Sequence, residues 1–188
     1  MPPPSVIGFF GKIPSRGDFV TRGLSSGLVD AWGSWIAQAL GASRVLLGAQ
    51  WDDAWMVAPV WRFALPAGLC GSAPVLGLMM PSADRVGRLY PLMIAAELDG
   101  LVGTPDPESG ASFLDAAEDA GRDALADLLE PDDLWARLQA VAPPRSSEVT
   151  GRALWWTGDG GMVVLDGMPP MPDHAAMLAG DSSPGGAC

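Results

Sequence analysis

Three apolar runs of strand length, residues 60–65 (VWRFAL), 75–80 (VLGLMM) and 92–98 (LMIAAEL), follow one another closely, and Pro66, Gly68, Gly71 and Pro74 break the chain between the first two. A parallel crossover needs a dozen or more residues, usually with a helix among them. These connections barely supply that length, so the runs are expected to pair as antiparallel neighbours and a doubly wound parallel sheet is disfavoured.

The rest of the chain supplies the covering layers. Residues 6–10 form a short apolar run ending at Gly11, read as a buried strand followed by a Gly/Pro-rich loop. Between residues 25 and 40, Leu28, Trp32, Trp35, Ile36 and Ala39 recur at helical spacing, with Ser25 or Ser26 to cap the start and Gly41 placed to end it. Residues 43–56 are expected to continue as one or two short helices with Trp51 and Trp55 on one face, up to Pro59.

Residues 111–130 and 132–141 carry helical patterns with acids opposite the apolar stripe. Residues 152–157 and 162–165, joined by GDGG, read as a hairpin, and residues 173–178 as a closing helical turn or two. The expected fold is α/β: one domain over residues 1–180, a mainly antiparallel sheet with helices on both faces (an α/β/α sandwich), and a disordered tail at 181–188.

Composition narrows the function classes. The net charge is −11, with seven Lys/Arg against five Asp/Glu up to residue 96 and four against seventeen thereafter. Neutralising phosphates needs clustered basic residues that this chain lacks, so a nucleic-acid partner is excluded. The opening MPPPSVIGFFGK has no basic segment followed by a long apolar one, and no stretch approaches the ~20 apolar residues of a membrane helix. A cytoplasmic protein without membrane insertion is expected.

Signs of catalysis are weak. His174 is the only histidine, near the C-terminus, so a nucleophile–His arrangement could use no other. Cys70 and Cys188 have no paired zinc spacing, and Cys70, without a basic neighbour, reads as a small, half-buried residue. The adjacent pairs Asp52/Asp53 and Asp132/Asp133 lack the alternation of a calcium loop and fit helix N-termini or surface positions better. Gly8, Gly11 and Gly17 do not make a phosphate loop. No cofactor or metal is expected, and the eight tryptophans are read mainly as core.

Two polar loops are richer than a connection requires: GKIPSRGDFVTRG and MPSADRVGRLYP. The first offers Lys12, the only lysine, with Arg16, Asp18 and Arg22 around Gly17 and Phe19; the second offers Asp84, Arg85 and Arg88. Binding residues concentrate on loops. Lys12, Arg16, Asp18, Phe19, Asp84, Arg85 and Arg88 are therefore the candidate partner-binding residues. The competing reading has Asp18 and Asp84 pairing with these arginines or with loop amides to hold the two loops together.

These segments also carry a family resemblance. GFFGKIPSRGDFVTRGL, DAWGSWIAQAL, APVWRFALPAGLCG, MPSADRVGRLYPL and LWWTGDGG, in that order and followed by GMP, resemble the TagF (ImpM) proteins associated with bacterial type VI secretion. The resemblance covers nearly the whole chain. It implies an α/β/α sandwich and a non-enzymatic post-translational regulator, typically a repressor, acting in the cytoplasm through a forkhead-associated scaffold protein. Some relatives are fused to a metal-dependent phosphatase, for which this chain has no room. The alternatives are a structural subunit of the secretion apparatus and a metal-dependent hydrolase accessory using Asp52 and Asp53. The resemblance brings no established ligand residues, so the two loops stand on their own chemistry.

Overall fold

The computed structural model describes residues 5–145, 147–158, 160–170 and 176–177. Among the described residues the named elements follow in the order β1 (Val6–Gly11), β2 (Val20–Arg22), α1 (Ser26–Leu47), the 3-10 turn Gly48–Gln50, α2 (Trp51–Val57), β3 (Trp61–Leu65), β4 (Val75–Met80), β5 (Leu92–Glu97), β6 (Thr104–Pro105), α3 (Ala111–Ala126), α4 (Pro131–Gln139), β7 (Glu148–Thr150), β8 (Ala153–Trp156) and β9 (Val163–Leu165). Seven strands form one sheet in the order β2-β1-β5-β4-β3-β8-β9, and every neighbouring pair is antiparallel. The three apolar runs are β3, β4 and β5, side by side as their short connections require. Strands β6 and β7 form a separate ribbon that the sequence reading did not anticipate.

Every residue of β4 and β5 is buried, because helices cover both faces of the sheet. On one face Trp32, Trp35 and Ile36 of α1 and Trp51 and Trp55 of α2 pack on Trp61, Phe63, Met79, Met93 and Trp155. On the other, Phe113, Leu114 and Ala117 of α3 and Leu134 and Leu138 of α4 pack on Phe9, Leu76, Leu78, Leu92 and Ile94. The strand period of two sends Phe63 to the first core and Ala64 to the second, and likewise Met79 and Leu78. The α/β/α sandwich is thus the observed architecture.

The tryptophans make the first core aromatic. Trp32 lies 4.8 Å from Phe63 and 5.1 Å from Trp35, and Trp155 lies 5.0 Å from Phe63, between ring centroids. Trp51 and Trp55 stack at 5.2 Å, on one face as their spacing requires. Six of the eight tryptophans are buried, while Trp135 and Trp156 are partly so.

Three sequence expectations need correction. Helix α1 does not end at Gly41 but runs on to Leu47. Ser43 is buried, donates to the Leu40 carbonyl and accepts from Trp51 Nε1 at 2.8 Å, while the Arg44 guanidinium lies 4.2 Å over the Trp51 ring. Those contacts carry the helix past a residue of poor helical propensity. The stop is Gly48, whose φ of 51° lies in the left-handed region and whose N–H donates to the Arg44 carbonyl. Next, Cys70 is buried rather than half-buried, at 2% exposure in the aromatic core, and burial pushes its thiol up to about 11. Finally, α3 ends at Ala126, before the expected residue 130. Of the closing turn, only residues 176–177 are described; His174, the tail 181–188 and Cys188 lie outside the described residues.

A methyl at Gly41 meets nothing within 4 Å, so Gly41→Ala should raise stability by about 0.5–1 kcal/mol, read as a higher urea midpoint at unchanged m-value; a lower midpoint would contradict a continuous α1. In a Cys188→Ser background, the Cys70 thiol should resist an aromatic disulfide reagent until denaturant unfolds the chain; rapid modification of the native protein would contradict its burial.

Candidate functional site

Both loops singled out in the sequence emerge at one end of the sheet, where β1 and β4 finish and β5 begins. The first, residues 12–19, leads from β1 into the edge strand β2; the second, residues 81–91, joins β4 to β5. Because β1 and β5 pair along their whole length, with Gly11 opposite Leu92, the loops are brought side by side by sheet register.

A single carboxylate binds them together. Asp84 is 3% exposed, and its Oδ2 accepts from Lys12 Nζ at 2.9 Å and from Arg88 Nε at 2.7 Å. Its Oδ1 accepts from the backbone N–H groups of Val86 at 3.0 Å and Arg88 at 2.9 Å, an Asx-type turn. The turn closes with Asp84 N–H on the Arg88 carbonyl and Gly87 N–H on the Asp84 carbonyl, with Gly87 at a φ of 85° that glycine adopts without strain. Burial opposes the charge on Asp84, yet the hydrogen bonds from Lys12, Arg88 and Val86 outweigh it and hold the carboxyl well below the usual carboxylate range.

Further bonds seal the junction. Ser82 Oγ donates to the Lys12 carbonyl at 2.7 Å, Arg85 N–H donates to the Arg16 carbonyl at 2.8 Å, and the Arg88 guanidinium donates to the Gly17 carbonyl. Lys12 Nζ, 7% exposed as a residue, sits 5.1 Å from the centroid of Phe19. Phe19 in turn meets Tyr90 edge-on at 4.7 Å and stacks with Phe10 at 5.8 Å, and burial pushes the Tyr90 phenol well above its ordinary value.

The seven residues singled out thus divide into two layers. Lys12 and Asp84 are buried and act on the loops' shape. Arg16, Asp18, Phe19, Arg85 and Arg88 are exposed, Phe19 at 53%, and Val86 joins them at 69%. Asp84 pairs as the bracing reading expected. Asp18 does not: its carboxylate has no partner among the described residues.

Beside this platform runs an open groove of about 460 Å³ lined by Arg16, Gly17, Asp18, Phe19, Thr21 and Arg22, with Arg85 and Pro131. The sequence reading missed Glu130 and Asp132, which face Arg16 at 2.6 Å and Arg22 at 3.1 Å. No local signal could have found them, because the α3–α4 junction reaches the loops through tertiary contacts, the packing of α4 against β1 and β2 and the hydrogen bond from Ser15 Oγ to the Leu129 carbonyl. Asp52 and Asp53 lie exposed in the first turn of α2, and neither lines this groove. Among the described residues no three His, Cys, Asp or Glu side chains are placed to hold a metal ion, and no helix is long and apolar enough to cross a membrane.

Fold and site together define an α/β/α sandwich that presents a braced, two-loop surface. The chain matches the family model of the TagF N-terminal domain, type VI secretion system-associated, over residues 8–141, and it belongs to that family. Its structure is similar to the crystal structure of PA0076 from Pseudomonas aeruginosa PAO1, with a TM-score of 0.78 and 31% identity over 97% of this chain and 98% of that one. No curated protein matches the chain. The protein is therefore one associated with type VI secretion.

The brace has a pH signature. Because Asp84 titrates lower in the folded chain than in the unfolded one, its contribution is present above about pH 4 and is lost as pH falls below that value. Asp84→Asn should lower the urea midpoint at pH 7 more than Arg88→Ala does, and should flatten the decline below pH 4. A mutant with an unchanged midpoint and the same acid limb would contradict a structural Asp84.

Proposed function

We propose that this chain is a non-enzymatic regulator, in the repressing sense, of type VI secretion, and that it acts by binding a forkhead-associated scaffold protein through the surface of the two loops. The observation that carries the reading is the construction of that surface. A buried ion pair, Lys12 with Asp84, fixes two loops so that exposed arginines stand around an exposed Phe19. Aromatic and arginine side chains held on a rigid base are the kind that dominate protein interfaces, and bracing lowers the ordering cost of binding. Family membership supplies the secretion context.

Nothing in this arrangement needs a bound group or a reacting side chain. Binding of the scaffold would withdraw it from the secretion machinery, and release would return it. Both are changes of occupancy, governed by affinity and concentration.

Replacing Arg16 and Arg85 together by Glu reverses two exposed charges without touching the buried pair. The double variant should keep its circular dichroism and, with the exposed Arg16–Glu130 pair lost, an unfolding free energy within about 1 kcal/mol of wild type, while losing capture of the purified scaffold by at least about tenfold. Equal capture by wild type and variant would show that the scaffold is bound elsewhere, and no capture by either would remove the scaffold as the partner.

A further inference from the structure

Five of the eleven basic residues of the chain, Lys12, Arg16, Arg22, Arg85 and Arg88, gather at this one end of an otherwise acidic protein. Lys12 and Arg88 are committed to Asp84. The other three line the groove, and they are not equivalent.

Arg16 and Arg22 are already answered by carboxylates of the chain itself. Arg16 Nη2 meets Glu130 Oε2 at 2.6 Å, and Arg22 approaches Asp132 Oδ1 through Nη2 at 3.1 Å and Nε at 3.3 Å. Pro131, between the two acids, lines the groove, and Ser15 Oγ donates to the Leu129 carbonyl at 2.7 Å. The stretch Leu129-Glu130-Pro131-Asp132 is therefore pinned along one wall as an acidic segment read by two arginines. On the groove's lining stands Arg85, whose guanidinium has no carboxylate partner among the described residues.

We propose that the groove receives an acidic segment of the partner, with a carboxylate on Arg85, and that Glu130 and Asp132 are internal stand-ins that compete with the partner's acids for Arg16 and Arg22. This rests on the partner-binding reading above and names the chemistry the partner presents. The resident pairs are solvent-exposed, so they exchange at little cost. A guanidinium takes a carboxylate in a forked pair, which gives direction as well as charge. Carboxylate is favoured over phosphate on two grounds: the anions already seated are carboxylates, and the exposed, unpartnered Asp18 on the same groove repels a doubly charged group more strongly.

The test uses the whole chain and a fluorescein-labelled hexaglutamate peptide, followed by anisotropy at low salt. The wild type should bind it, Arg85→Glu should weaken binding about tenfold, and Glu130→Gln with Asp132→Asn should tighten it about threefold or more. Circular dichroism and the unfolding midpoint of each variant confirm that α4 still docks. No binding by wild type and by the Glu130/Asp132 variant, or binding indifferent to Arg85, would overturn the proposal. A phosphothreonine peptide that outbinds hexaglutamate would overturn the choice of carboxylate. Scaffold capture measured on the same variants separates the two readings. Hexaglutamate responding as stated with no scaffold captured would sink the scaffold reading alone; scaffold captured equally by all variants would sink the acidic-segment proposal alone.

Discussion

A carboxylate buried at 3% exposure is tolerable only if its lone pairs are filled, and at Asp84 four donors fill them: the Lys12 ammonium, the Arg88 guanidinium and two backbone N–H groups. The donors come from both loops, so satisfying one side chain sets the position of two segments far apart in sequence. Removing any donor leaves charge or polarity stranded where water does not compensate it. The cost of rearrangement keeps Arg16 and Arg85 on neighbouring walls, and it keeps Phe19 propped over Lys12 while still facing solvent.

That arrangement depends on the sheet beneath it. Strands β4 and β5 are buried on both faces, so neither can slip by one residue without exchanging its two sets of side chains between cores of different composition. The tryptophan-rich core under α1 and α2 and the mainly aliphatic one under α3 and α4 thereby lock the register of β1 against β5, which places Lys12 within reach of Asp84. The α3–α4 layer has a second consequence. Ion pairs from Arg62 of β3 to Asp115 and Glu118 of α3 anchor it to the sheet, and the junction between its helices delivers Glu130 and Asp132 to the loop surface.

Much of this was legible in the residues, for reasons that can be named. Adjacent apolar runs with short Pro/Gly connections leave little choice but antiparallel neighbours, and Leu28, Trp32, Trp35 and Ile36 mark α1 by spacing. The remaining features depend on contacts between residues distant in the chain. Gly41 looked like a stop because propensity is local, whereas the contacts of Ser43 and Arg44 with Trp51 that extend α1 are tertiary. The ribbon of β6 and β7 joins segments too short to show a period. At the site, residue types alone marked both loops, but not that Lys12 and Asp84 lie beneath the surface while the exposed side chains of Arg85 and Asp18 meet no opposite charge among the described residues. The sequence-level alternatives for Asp18 and Asp84 come out differently because only Asp84 heads a turn whose amides point at its own carboxylate.

The central claim is that the braced loops are the surface through which a partner is engaged. Hydrogen–deuterium exchange of the chain, alone and with the purified forkhead-associated scaffold, tests it most directly. The account predicts that added protection falls on residues 12–22 and 81–91, with the backbone of α1 and of the central strands unchanged. Protection confined to other elements, such as the exposed face of α1, or no protection at concentrations where the two proteins are mixed in excess, would contradict it.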